Sequence, residues 1–517
     1  MDQEVPMGLG SFQIRWAETA TRFLEKHKVL SFSIFSFFYF LGACGKASSK
    51  PFWFDELFSW YVAQLPSLSE IWNALYEGIE NHPPLHYFLI HASHGVLGTG
   101  ELATRLPFIV GFWLALLFVF MFILKRCGSV IAYLSLLFLC LSLSYGYAFE
   151  ARPYALVLAC CSASLLCWQW AIEGRFRRLG LMGLSLSLGV ALFSHYYAIL
   201  LFPPLMMGEA YRSLRSKRVD WSIWISMAVG AAVLLPLVPM MLKHREYSEF
   251  FWAKPTRERF LEVINWFFHD PILVYFCIVG FLIGVLKRGH SQAVNKKNRS
   301  ATWNIPSHEL VAMMTLLLLP IIGFVFAKLV THAFNPRYFL PTLIGIALGL
   351  AFLYQRLLQD RVLVTAVLLV SLLSIFIYGQ AVDAQGFVSK KIDILGRRLA
   401  QSLNATGDQG PIVISDGVKF LEYLHYAPPD LKSRLCYLID PSAVRQKGVD
   451  TVERSLNELR KKVPMCVEDY RSFLSSHDHF YLYSPIDLLL LHLLEDRAQI
   501  KFENRGENIF LEVFVDR

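Results

Sequence analysis

The chain has 517 residues, of which 55% are hydrophobic and only 17% charged, and its mean hydropathy is +0.42. Soluble domains carry nearer a quarter charged residues, so this balance excludes an ordinary soluble enzyme. It also excludes disorder, because so apolar a chain has ample surface to bury. The formal net charge of +8 suggests a nucleic-acid partner only until the charges are placed.

A helix crosses a bilayer with about 20 apolar residues. About eleven runs qualify, near 29–45, 105–124, 128–148, 153–172, 179–194, 196–210, 221–242, 271–286, 308–328, 338–354 and 362–378. The two short runs 179–194 and 196–210 read as a tight hairpin around His195-Tyr196-Tyr197. Lys and Arg collect in every second loop: Lys125-Arg126, Arg175/Arg177/Arg178, Arg212/Arg215/Lys217/Arg218, Lys287/Arg288/Lys296/Lys297/Arg299 and Arg356/Arg361. Short basic loops stay cytoplasmic. All these clusters share one side if the amino terminus, with Arg15, Arg22, Lys26 and Lys28, is inside and the span count is odd. The positive charge is therefore a topology signal, and nucleic-acid binding is set aside. Leu41-Gly-Ala-Cys44 has the look of a lipoprotein cleavage box, but cleavage there would discard the first span.

This reading divides the chain into a cytoplasmic segment 1–28, a transmembrane domain 29–378 with an external loop 46–104, and an extracytoplasmic domain 379–517. The expected fold class is a polytopic α-helical membrane protein with a carboxy-terminal α/β domain. The expected location is an inner or plasma membrane, crossed many times.

In the external loop, Phe54, Leu57, Phe58 and Tyr61 recur at helical spacing, and Leu68, Ile71, Trp72 and Leu75 repeat it. Both stripes predict amphipathic helices lying in the external membrane interface. Asp55 and Glu56 open the first, directly after a span. A carboxylate at that depth costs energy unless it is paired or used, although a helix amino terminus also stabilises it. Asn81-His82-Pro-Pro84 starts a further helix. His82, His86, His91 and His94 do not share one face, and no cysteine or acidic cluster completes a zinc set. Glu150 and Arg152 end the third run, His195-Tyr196-Tyr197 sits at the hairpin, and Arg337-Tyr338 starts a late span. The topology sends all of them to the face that carries Asp55.

After 379 the pattern alternates. Strands are expected at 411–415, 435–439 and 480–483, and helices at 417–426, 450–462, 467–476 and from Pro485 to about 497. An alternating stretch at 508–515 closes the chain. This suits a small α/β domain. Asp416, Asp440 and His477-Asp478-His479 lie at strand ends or loops and read mainly as solvated. Most cysteines lie in apolar runs as small hydrophobes. Cys436 and Cys466 lie in a polar region, and can pair if that region is outside the cell.

Taken in order, Asp55-Glu56, His82-Pro-Pro-Leu-His-Tyr-Phe88, Ala103-Thr-Arg-Leu-Pro107, Ala151-Arg-Pro-Tyr-Ala-Leu156, His195-Tyr-Tyr197 and Arg337-Tyr-Phe-Leu-Pro341 resemble the GT-C glycosyltransferases. Within these they are similar to the branch of protein O-mannosyltransferases and the lipid A aminoarabinose transferase, over about residues 28–378. The resemblance implies a polyprenyl-phosphate sugar as donor, a glycan, lipid or protein acceptor on the extracytoplasmic face, and inversion at the anomeric carbon. It gives Asp55 the role of deprotonating or orienting the acceptor hydroxyl, while Glu56 accompanies it or binds a basic neighbour. A lipid phosphate leaving group asks for fixed positive charge. Arg337 is the first candidate, followed by Arg105, Arg152 and His195, with His82, Glu150, Tyr196 and Tyr338 nearby in the binding set. Many relatives carry an Asp about where Tyr154 stands; here the acid is Glu150. No obligatory cofactor or metal is expected, with a divalent metal as the alternative. The rival functions are a transporter or flippase of a lipid-linked glycan, which would favour repeats and midplane polar groups, and a surface-polysaccharide polymerase or ligase.

Overall fold

A computed structural model describes residues 9–245, 252–291, 305–358, 361–394, 410–439, 451–484 and 509–515. Asp440 and the helix expected at 485–497 lie outside the described residues. The packing divides the chain into two compact units, one of residues 1–45, 105–237 and 253–382, the other of residues 46–104, 238–252 and 383–517.

The first unit is helical. Among the described residues, Lys28–Ser49, Glu101–Leu141, Tyr154–Glu173, Trp221–Arg245 and Val362–Val382 are each long and apolar enough to cross a membrane, and two bent pairs raise the number to seven. Glu101–Leu141 spans 41 residues, about 60 Å at 1.5 Å per residue and so twice a bilayer core. It holds two of the expected runs, joined at Gly128, whose φ of 80° breaks the helix. The Glu25 carboxylate accepts from Ser129 N at 2.7 Å, capping the second half where its first amides lack helical partners. Pro341–Leu357 is a shorter apolar helix, and the helices Arg177–Ser194 and Phe202–Ser216 occupy the two remaining expected runs.

Two bent helix pairs occur: one joins the expected run 271–286 to a helix before it, and the other divides the expected run 308–328. Arg257–Phe268 meets Pro271–Val285 at 59°, and Ser307–Leu317 meets Leu319–Thr331 at 56°. At the first break the buried Asp270 accepts from Ile272 N at 3.1 Å and from Leu143 N at 3.0 Å. Its carboxylate satisfies amides that a continuous helix would have paired, as buried backbone requires. The second break is followed by Pro320, which has no N–H to donate.

The second unit is built on a five-stranded sheet in the order β3-β2-β1-β4-β5. The strands are β1 (Ile412–Ile414), β2 (Leu435–Ile439), β3 (Cys466–Asp469), β4 (His479–Ser484) and β5 (Ile509–Phe514). All pairs are parallel except β4 with β5. Parallel strands are buried on both faces. Accordingly Ile412 and Ile414 enter one core and Val413 the other, as the two-residue period of a strand dictates. The expected helix at 467–476 is split: Cys466–Asp469 pairs with β2, and the Asp469 carboxylate then caps Tyr470–Ser476 by accepting from Arg471 N at 3.0 Å. The register sets Cys436 opposite Cys466. The two form a disulfide across Cα atoms 4.7 Å apart.

This unit also differs from the sequence-based partition. Leu57, Phe58 and Val62 of the helix Phe54–Ala63, with Ile71, Ala74 and Leu75 of Leu68–Glu77, share one core with Ile412, Phe420, Leu421 and Tyr437. The two helices expected on the bilayer interface bury their stripes against the carboxy-terminal segment instead. A periodic stripe shows that a face is buried, but it does not name the partner.

Candidate functional site

The candidate residues fall in both units. In the second unit, the chain enters the Phe54–Ala63 helix extended, with Trp53 at φ −102° and ψ 170° as the first cap. Asp55 and Glu56 stand in the first turn, where the helix dipole favours anions. Their environments diverge. Glu56 is 0% exposed, and its carboxylate reaches back to accept from Trp53 N at 3.4 Å. That is the backward half of a capping box. Asp55 is half-buried, and its main-chain carbonyl accepts from Ser59 Oγ at 3.3 Å. Glu56 thus shapes the helix entrance, while Asp55 is only half-buried.

The histidines of this loop make separate contacts. His82 is half-buried and packs edge-on against the buried His86, with ring centroids 5.8 Å apart. His91 Nδ1 bonds Ala63 O at 2.8 Å, and His94 Nε2 bonds Thr104 Oγ1 at 2.8 Å. Burial, helped by His91, lowers His94 from 6.5 to about 4. Among the described residues no group of three or more His, Cys, Asp or Glu could hold a metal ion.

In the first unit, four predicted residues come together at the ends of different helices. His195 follows Arg177–Ser194 and is buried; its Nδ1 accepts from Tyr197 N at 3.0 Å. Arg337 lies in a short 3-10 turn, Pro336–Phe339, which Asn335 caps by accepting from Arg337 N at 3.2 Å. Tyr338 of that turn stacks on Tyr197 at 4.3 Å and packs on His195 at 5.1 Å. Tyr154 also packs on His195, at 5.6 Å. The buried Arg152 is within electrostatic reach of His195, and both Arg152 and Arg337 are within reach of Tyr338.

The result is two guanidiniums, an imidazole and three phenol rings in one place. Such a setting is suited to binding an anion carried on an apolar tail. The rings exclude water and lower the local dielectric, which strengthens the arginines' pull on negative charge. Glu150 is half-buried two residues before Arg152, whose N–H its carbonyl accepts at 2.8 Å. Arg105 is fully buried on the long helix Glu101–Leu141. The buried Tyr196 hydroxyl has no hydrogen-bond partner among the described residues. Tyr154 and Tyr197 stand in the sequence motifs but outside the predicted binding set. Their signal is position alone, each lying within two residues of a member of that set.

The helices that carry this cluster match known proteins. Residues 81–242 match the family described as dolichyl-phosphate-mannose-protein mannosyltransferase. The fold matches a crystal structure of ArnT from Cupriavidus metallidurans in the apo state. Identity is 13% and the TM-score 0.54, covering 94% of this chain and 98% of that one. The likeness to this structure is one of fold. The same ArnT bound to undecaprenyl phosphate matches this chain with a TM-score of 0.55 and 13% identity, over 93% of this chain and 97% of that one. No curated protein sequence matches the chain. The apolar helices make the chain a multi-pass membrane protein with a sheet-bearing second unit.

Proposed function

We propose that the protein moves a sugar from a polyprenyl-phosphate carrier to an acceptor hydroxyl on the extracytoplasmic face of the membrane. The observation that carries this reading is the divergence of two adjacent acids: Glu56 is sealed and used in capping, whereas Asp55 remains half-exposed in the same helical turn. The match to an ArnT bound to undecaprenyl phosphate supports the carrier, and the mannosyltransferase family match supports sugar transfer.

In the proposed reaction the acceptor oxygen attacks the anomeric carbon as its proton passes to Asp55. The bond from that carbon to the phosphate oxygen breaks, inverting the centre and releasing the polyprenyl phosphate. Arg337 and Arg152 hold the phosphate and take up the charge it gains, with His195 and Tyr338 lining the place. Glu56 sets the pitch of the Asp55 helix, while His82, Arg105, Glu150 and Tyr196 serve substrate binding. No resident metal takes part. The amino terminus is cytoplasmic, as the alternating basic loops require. The carboxy-terminal segment is extracytoplasmic, where a Cys436–Cys466 disulfide is stable.

The test offers the purified protein a panel of undecaprenyl-phosphate monosaccharides with envelope acceptors. Asp55→Asn is expected to lower transfer at least a hundredfold, the low end for general acid–base catalysis, with thermal stability retained. Parental transfer by Asp55→Asn, or no transfer from any donor by the parent, overturns the reading. Chelator treatment is expected to leave transfer intact.

A further inference from the structure

We infer that the carboxy-terminal segment works in the transfer reaction as the scaffold of the Asp55 helix, with Tyr426 as its positioning residue. The inference rests on the reading of Asp55 given above.

A helix's first turn is placed by the chain that enters it, since its leading amides have no partners within the helix. The entry to the Asp55 helix is Pro51-Phe52-Trp53. Phe52 N donates to Tyr426 Oη at 2.6 Å, three residues before Asp55 and 374 residues away in sequence. The same phenol donates to Glu101 Oε1 at 3.3 Å. Glu101 begins the helix at the far end of the loop. Just before it, Thr99 O accepts from Trp60 Nε1 at 2.8 Å, which returns the contact to the Asp55 helix. One hydroxyl therefore joins the start of the loop to its end, using both its acceptor and its donor capacity.

The neighbouring residue makes a second contact with the same helix. The His425 ring lies edge-on to Trp60 at 4.6 Å and to Phe52 at 5.5 Å. Tyr426 and His425 end the helix Gly417–Tyr426, which leaves β1 through the Asp416 cap on Val418 N at 2.8 Å. Phe420 and Leu421 of that helix are fully buried in the core shared with Leu57 and Phe58. A rigid path thus runs from the central strand through this helix and Tyr426 to the backbone entering the Asp55 turn. A base must reach about 3 Å from the proton it takes, and a 1 Å misplacement costs about a hundredfold. A tether on Phe52 N is therefore a tether on catalysis.

The test uses the full chain in lipid nanodiscs and the variant Tyr426→Phe, which keeps the ring and removes the hydroxyl. Hydrogen exchange at 52–57 is expected to quicken about tenfold, with exchange in β2 and β4 unchanged. With the donor that proves active in the panel, kcat is expected to fall about tenfold at constant KM. Unchanged exchange at 52–57, equal acceleration in the sheet, or an unchanged kcat would each overturn the inference. If Asp55→Asn transfers like the parent, the underlying reading fails instead. That case is recognised because Tyr426→Phe still quickens exchange at 52–57 alone.

Discussion

The membrane unit turns large apolar side chains outward: Phe37, Leu41, Phe281 and Tyr378 are 64%, 61%, 71% and 71% exposed. The second unit seals the same residue types inside, with Phe58, Leu75, Phe420 and Leu482 at 2% or less. Lipid accepts exposed hydrocarbon, so apolar burial gives membrane helices little reason to pack on one another. Close approach takes its place. A Cβ on Gly180 would lie 2.6 Å from Cys167 O and 2.7 Å from Ala171 N, so Tyr154–Glu173 and Arg177–Ser194 meet backbone to backbone there. The second unit uses apolar burial on both faces of a sheet, with a disulfide across two of its strands.

The membrane unit also pairs buried acids with basic side chains. Glu309 is buried in the membrane unit and accepts from Arg126 Nε at 3.0 Å. Glu209, equally buried, accepts from Arg212 Nε at 3.0 Å and Trp168 Nε1 at 3.1 Å. Asp220 takes two hydrogen bonds from Arg177, at 3.0 and 2.7 Å. Residues that read as topology signals are thus also internal partners of acids. Taking one partner from such a pair strands a buried charge.

This contrast can be broken at defined points. The largest effect is expected from Gly180→Val, where backbone cannot yield; folded, monodisperse protein should be lost in detergent, and normal yield would show that the helix crossing is loose. Next, Arg126→Gln leaves Glu309 without its guanidinium and should destabilise the membrane unit by about 3–5 kcal/mol, read by thermal unfolding. Replacing Cys436 and Cys466 by serine should lower the second unit's stability by about 3 kcal/mol and leave the membrane unit unmoved. An equal loss in both would deny their independence. The smallest effect is pH-linked. His94 is held neutral in the fold at about 4, below its ordinary 6.5, so protonation favours the unfolded chain. Stability of the second unit should fall as pH drops from about 6.5 towards 4, and His94→Gln should flatten that slope.

Much of the architecture was readable from composition and spacing. Long apolar runs must be helices, because lipid offers backbone groups no other partners. The broken spans were less legible, because hydropathy is blind to direction: the bend at Asp270 depends on a carboxylate that joins residues far apart in sequence. The site was legible in part. Arg152, His195, Arg337 and Tyr338 were named from position and do meet, but their stacking with Tyr154 and Tyr197 is set by how helices cross. Asp55 and Glu56 were equivalent as letters. Their difference came from the helix entrance, where one acid folds back on Trp53 N.

By itself the sequence determined the membrane-spanning class, the helical spacing of the Asp55 loop and the alternation of the carboxy-terminal segment, because each depends on residues close together in the chain. Only the tertiary structure decided that this loop and the carboxy-terminal segment share one core, that Cys436 faces Cys466, and that Tyr426 holds Phe52. Those pairings join residues separated by tens to hundreds of positions. Local periodicity states which face must be buried, and only the folded chain supplies the face that covers it.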